Sequence, residues 1–131
     1  MKLFLDTNIF MDILFERENC IYAKQIIQSI LDGEHDGYVA DISILNIDYV
    51  AKKQIQKVRD FLHFIENNFV IVGADNGDIL KALKLENHDL EDNLQYILAK
   101  KSACDLIISN DKTFIKSSLS VLNAELFLMQ D

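Results

Sequence analysis

The chain has 131 residues, half of them hydrophobic, and its 21 acidic side chains against 13 basic ones give a formal net charge of −8. That length suits a single domain over residues 1–131 with one buried core. No apolar run reaches the roughly eighteen residues of a membrane span, and the opening residues lack the charged, apolar and small-residue order of a signal peptide, so a cytoplasmic protein with no membrane segment is expected.

Lys2-Leu3-Phe4-Leu5 is a short apolar run that predicts a strand, and Asp6-Thr7-Asn8 behind it favours a turn and a helix start. Ile9, Ile13 and Leu14 continue at helical spacing, and Tyr22, Ile26, Ile27, Ile30 and Leu31 mark a second amphipathic helix ending at Gly33. Gly37 opens a strand through Tyr38-Val39-Ala40. Ile44, Ile47 and Ala51 stripe one helix ending in Lys52 and Lys53; Val58, Phe61, Leu62 and Ile65 stripe the next, before Phe69-Val70-Ile71-Val72, read as a buried strand. Ile79, Leu80, Ala82 and Leu83 predict a helix after Gly77, and Leu94, Ile97, Leu98 and Ala103 another that leads into the strand Leu106-Ile107-Ile108. Ser120-Val121-Leu122 is a last weak strand, followed by a short apolar helix at Ala124 to Met129 with surface expected to be left over for assembly. Strands separated by helices throughout predict an α/β protein, a three-layer αβα sandwich around a parallel sheet.

In open α/β sheets polar function gathers beyond the carboxyl ends of the strands, where the chain reverses its progress across the sheet. Asp6 follows the first strand directly, Asp111 follows Leu106-Ile107-Ile108 after Ser109-Asn110, and Asp89, Glu91 and Asp92 stand at the start of the helix that feeds that strand. Three segments thus deliver carboxylates to one edge. Mg2+ and Mn2+ take oxygen ligands and keep several waters, so carboxylates from separate segments suit them. Such a cation lowers the pKa of a water and neutralises charge on a phosphodiester during in-line displacement. Asp6, Asp92 and Asp111 are therefore expected to be both catalytic and metal-holding. Structural readings stand beside this one: Asp6 could cap a helix, and Asp89 and Glu91 complement a helix dipole by roughly 0.3 to 1 kcal/mol each. The net charge also weighs against a nucleic-acid partner, an objection that weakens where a bound cation cancels part of it.

Other chemistries find little support. No GxGxxG or GxxxxGK[ST] loop is present, and Asn8 stands where a haloacid-dehalogenase-type phosphatase would want an aspartate. His35, His63 and His88 show no ligand spacing, and Cys20 and Cys104 form no CxxC pair and read as small buried thiols.

Leu3-Phe4-Leu5-Asp6-Thr7-Asn8-Ile9 resembles the opening strand and Asp-Thr-Asn motif of PIN domains. Asp89-Leu90-Glu91-Asp92-Asn93-Leu94-Gln95-Tyr96 is similar to the acidic helix start of one PIN subfamily, and Ile107-Ile108-Ser109-Asn110-Asp111-Lys112-Thr113-Phe114 to the Thr-Arg-Asp and downstream Phe of its fourth strand. The resemblance implies a five-stranded parallel sheet ordered 3-2-1-4-5 that sets Asp6 beside Asp111. It also implies a Mg2+- or Mn2+-dependent endoribonuclease cutting single-stranded RNA, as in VapC-like toxins neutralised by an antitoxin protein, and a tendency to form homodimers. The sequence departs from the pattern at Asn46, which stands where the family usually has a glutamate, and at Thr113, where many relatives have an aspartate. Asp48 could replace the missing glutamate only by turning toward the site, although residues two apart on a helix do not share a face. The alternative reading is accordingly a degenerate PIN fold that binds RNA or protein without cutting. Asn8, Asp12, Asn46, Asp89, Glu91 and Ser109 are expected around the three aspartates, with Asp12 four residues after Asn8 on the same helical face. Lys52, Lys53, Lys57 and Arg59 could guide RNA or form a solvated face.

Overall fold

The computed structural model describes residues 1–114 and 118–130. Along the chain lie β1 (Lys2–Leu5), α1 (Thr7–Leu14), α2 (Cys20–Leu31), β2 (Asp36–Ala40), α3 (Asp41–Ala51) and α4 (Val58–Asn68). They are followed by β3 (Val70–Val72), α5 (Asn76–Lys84), α6 (Leu90–Lys101), β4 (Leu106–Ile108), β5 (Ser120–Leu122) and α7 (Ala124–Leu128). The five strands form one sheet in the order β3-β2-β1-β4-β5, and every pairing is parallel, with Phe4 opposite Tyr38 on one side and Ile107 on the other.

Alternation along the central strands builds the layers. Leu3 and Leu5 of β1, with Leu106 and Ile108 of β4, face a core shared with Ile9, Ile26, Ile30, Ile47, Ile65 and Phe127. Phe4 and Ile107 point the other way, onto Ala82, Leu94, Leu98 and Ala99. Helices α1, α2, α3, α4 and α7 thus contribute to one face while α5 and α6 cover the other, as both-face burial of parallel strands requires. Gly33, at a left-handed φ of 79°, ends the turn after α2. Gly37 has a different reason to be glycine: a Cβ there would lie 2.5 Å from the Phe69 ring and 2.9 Å from Ile30.

Several elements differ from the sequence expectation. β2 begins at Asp36, one residue before Gly37. β3 is not a buried strand: it lies at the sheet edge, leaving Val70 and Ile71 exposed, while Phe69 precedes it and packs into the core. The apolar stripe of α5 is similarly outward, for Ile79, Leu80 and Leu83 are exposed and only Ala82 enters the core. That helix is fixed instead by a capping box between Asp75 and Asp78 and by Lys101 Nζ, 2.7 Å from Asp78 Oδ2. Ala103 lies beyond α6, at a left-handed φ of 56°. In α7, Ala124 and Phe127 are buried, which leaves Leu126, and Met129 just beyond the helix, as exposed apolar residues.

Candidate active site

β1 has β2 on one side and β4 on the other, so the chain reverses its progress across the sheet beside β1, and the crevice beyond its carboxyl end is the place where ligands of such folds bind. The end of β1 is tied to β4 by the Asp6 amide, which donates to Ile108 O at 3.0 Å. This brings Asp6 next to the turn that carries Ser109, Asn110 and Asp111. Asp6 occupies the N-cap position of α1, yet its carboxylate makes no cap bond. It accepts instead from Gln95 Nε2 at 3.0 Å and from Ser109 Oγ at 2.8 Å, which removes the capping explanation for this residue.

The same two partners reach further. Gln95 Oε1 accepts from the Thr7 amide at 3.3 Å, and Ser109 Oγ accepts from the Asp111 amide at 3.1 Å. Gln95 is fully buried and links α6 to the β1–α1 turn through both ends of its amide. Asp111 is half-exposed and is held by Thr113, whose amide and hydroxyl both donate to Oδ1 at 2.9 and 2.7 Å; these bonds keep its carboxyl below the usual range. Thr113, expected as a lost acid, thus serves to orient one.

Among the described residues, Asp89, Asp92 and Asp111 offer carboxylate oxygens that all lie within 4.8 Å of one another. Asp89 also caps α6 by accepting from the Asp92 amide at 3.1 Å, which bears out its structural reading, and the same side chain stands beside Asp92 and Asp111. Asp92 is only 5% exposed, and its Oδ2 meets no hydrogen-bond donor. Burial pushes its carboxyl up to about 8, helped by the charges of Asp6 and Asp89, and Asp111 faces it as an acceptor that a protonated Asp92 could serve. Asp6 is also raised, by burial above all, with Gln95 and Ser109 opposing and the charges of Glu91 and Asp111 adding to the rise. A buried, unpartnered carboxylate oxygen against two further acids fits a hard divalent cation, which would supply the missing positive charge.

The remaining expected residues scatter. Glu91 accepts from Thr7 Oγ1 at 3.0 Å and from Asn46 Nδ2, so α3 reaches the site edge through an amide. Asp12 is buried and accepts from Asn110 Nδ2 at 3.0 Å, bracing the 109–111 turn from behind, whereas Asn8 is exposed; the two do not share an environment. Asp48 is paired with Arg59 at 2.8 Å and does not take the place of a glutamate, and Arg59 is correspondingly not a free guide for RNA. His88 is exposed beside Asp89. Sequence reasoning missed Thr7, Ser43 and Gln95. Gln95 was within reach of it, because three and four residues after Asp92 and Glu91 is the same helical face.

Comparisons with known proteins bear on the family and the fold. A family model described as PIN domain matches residues 2–113. Ribonuclease VapC1 of Aquifex aeolicus (strain VF5) is 34% identical over 137 aligned residues, covering 96% of this chain and 92% of that relative. Among solved structures, VapBC2 of Rickettsia felis bound to a DNA fragment from its promoter matches with a TM-score of 0.71 at 14% identity, over 94% of this chain and 98% of that one. A toxin-antitoxin complex from Klebsiella pneumoniae matches with a TM-score of 0.68 at 21% identity, over 93% and 97% of the two chains. At those identities the structures speak to the fold.

Proposed function

The chain belongs to the PIN-domain family, and from that premise we propose that it is a divalent-metal-dependent endoribonuclease acting on single-stranded RNA, the toxin of a toxin-antitoxin pair. The observation that carries the site is the buried, unpartnered Oδ2 of Asp92 set among the carboxylates of Asp89 and Asp111. Asp6, Asp92 and Asp111 would hold Mg2+ or Mn2+, with Asp89 as a further ligand. When bound, such an ion activates water and offsets the charge that develops on the phosphodiester.

The chain's own residues do the positioning. Gln95 and Ser109 fix both oxygens of Asp6, and Thr113 fixes Asp111, so little reorganisation is left when the site is loaded. Asp92 would have to be deprotonated to serve as a ligand, so proton and cation would compete for the same carboxyl. A single strand can bend its backbone into a crevice at the sheet edge, whereas an A-form duplex presents phosphates on a broad surface. The relatives named VapBC and toxin-antitoxin complex support an antitoxin protein as partner. Leu45, Tyr49 and Val50, exposed on α3, support a homodimer. No helix among the described residues is long and apolar enough to cross a membrane, in keeping with a cytoplasmic protein.

Asn46 favours a second reading, a module that binds RNA or protein without cutting. Incubation of mixed single-stranded RNA with the protein and Mn2+, against EDTA and Asp111→Asn, separates the two. Cleavage that needs the metal and vanishes in the variant is expected; RNA left intact under every condition would favour the module.

A further inference from the structure

Glu91 is the acid that the nuclease reading leaves without a task. It stands in the first turn of α6 immediately before Asp92 and is half-buried. Neutral groups from two other elements hold both its oxygens: Thr7 Oγ1 donates to Oε2 at 3.0 Å, and Asn46 Nδ2 of α3 donates to Oε1. Behind them Ser43 Oγ lies 2.6 Å from Thr7 Oγ1, completing a chain from α3 to the acid. Among the described residues no lysine or arginine forms an ion pair with Glu91. An acid that served only the helix dipole would need no such clamp, because that interaction is available to a solvated side chain in the first turn. The bond from Thr7, the residue after Asp6, holds Glu91 toward the end of β1, and the buried, unpartnered Oδ2 of Asp92, the next residue along α6, is an independent observation that points to a cation at this edge.

We propose that Glu91 is a further carboxylate of the metal site, supplied by α6 and held in place by Asn46 and Thr7. Asn46 is then a positioning residue: its amide on α3 orients an acid carried by α6, and the site keeps a negative charge at a place where α3 itself presents none. This rests on the metal-site reading above.

The test is Mn2+ affinity, measured by titration calorimetry on metal-free full-length protein, with metal-free melting curves to show that each variant folds. Glu91→Gln should weaken Mn2+ binding by about tenfold, as loss of a supporting group around a metal does, and Asn46→Ala should weaken it less. The paired exchange Asn46→Glu with Glu91→Gln should return affinity to within about threefold of wild type, since amide and carboxylate have traded places across the same contact. Asp92→Asn, the control, should lose binding. Wild-type affinity in Glu91→Gln alongside lost binding in Asp92→Asn would overturn the role of Glu91 alone. A paired exchange no tighter than Glu91→Gln would overturn the clamp, and unchanged binding in Asp92→Asn would overturn the metal site itself.

Discussion

At the scale of single residues two carboxyl groups of the candidate site, Asp92 and Asp6, resist ionisation. The Asp92 carboxyl, pushed up to about 8 from an ordinary 3.8, holds its proton in the folded chain over a range where the unfolded chain has released it. Asp6 shifts in the same direction. A folded state that binds more protons loses stability as pH rises, so between the ordinary carboxylate range and about pH 8 the metal-free protein should become less stable. Asp48, Asp78 and Asp111 are shifted down and act in the opposite sense, at more acid pH, leaving the upper window to Asp92 and Asp6. Melting of metal-free protein should therefore show Tm falling from about pH 5 to about pH 8, and Mn2+ should raise Tm more at the upper end, where fewer protons compete for the carboxylates. A flat Tm across that window, with an equal Mn2+ effect at both ends, would mean that the acids are not coupled in this way.

At the scale of elements, steric fit explains positions that periodicity cannot. Gly37 in β2 passes under the Phe69 ring with no space for a methyl group, so Gly37→Ala should cost about 1 to 3 kcal/mol by overpacking and lower Tm by several degrees without altering metal affinity; an unchanged Tm would show that β2 and Phe69 yield freely. The central elements were legible in the sequence because their physics is local. Leu3, Phe4 and Leu5 are apolar on both sides, as a strand covered on both faces must be, and Asp6 stops the run where β1 stops. The edge was less legible: Val70, Ile71 and Val72 spell a buried strand, and only the topology shows that one flank has no neighbour. The α5 stripe misled for a related reason, since an exposed apolar row has the same period as a buried one. In the site, Asp6 and Asp111 could be located from strand ends and Asp92 from the start of the helix that feeds β4. The contacts of Asn46 with Glu91, and of Gln95 with Asp6 and Thr7, depend on how α3 and α6 meet across the sheet edge, which no spacing encodes.

For the whole molecule the central tension is a charge of −8 on a protein read as cutting RNA. Long-range electrostatics alone would repel the substrate. The fold gathers five acids, Asp6, Asp89, Glu91, Asp92 and Asp111, at the switch point beside β1, where a bound cation would reverse the local field. RNA binding should consequently be weak and tied to metal, unlike that of a protein with a basic surface. The measurement that tests this most directly follows binding and cleavage of one labelled single-stranded RNA together while Mn2+ is titrated into the metal-free protein. The expected result is weak binding without metal, tightening as cleavage sets in over the same Mn2+ range, with both responses lost in Asp92→Asn. RNA held equally well with and without Mn2+, and left uncut at every concentration, would contradict it.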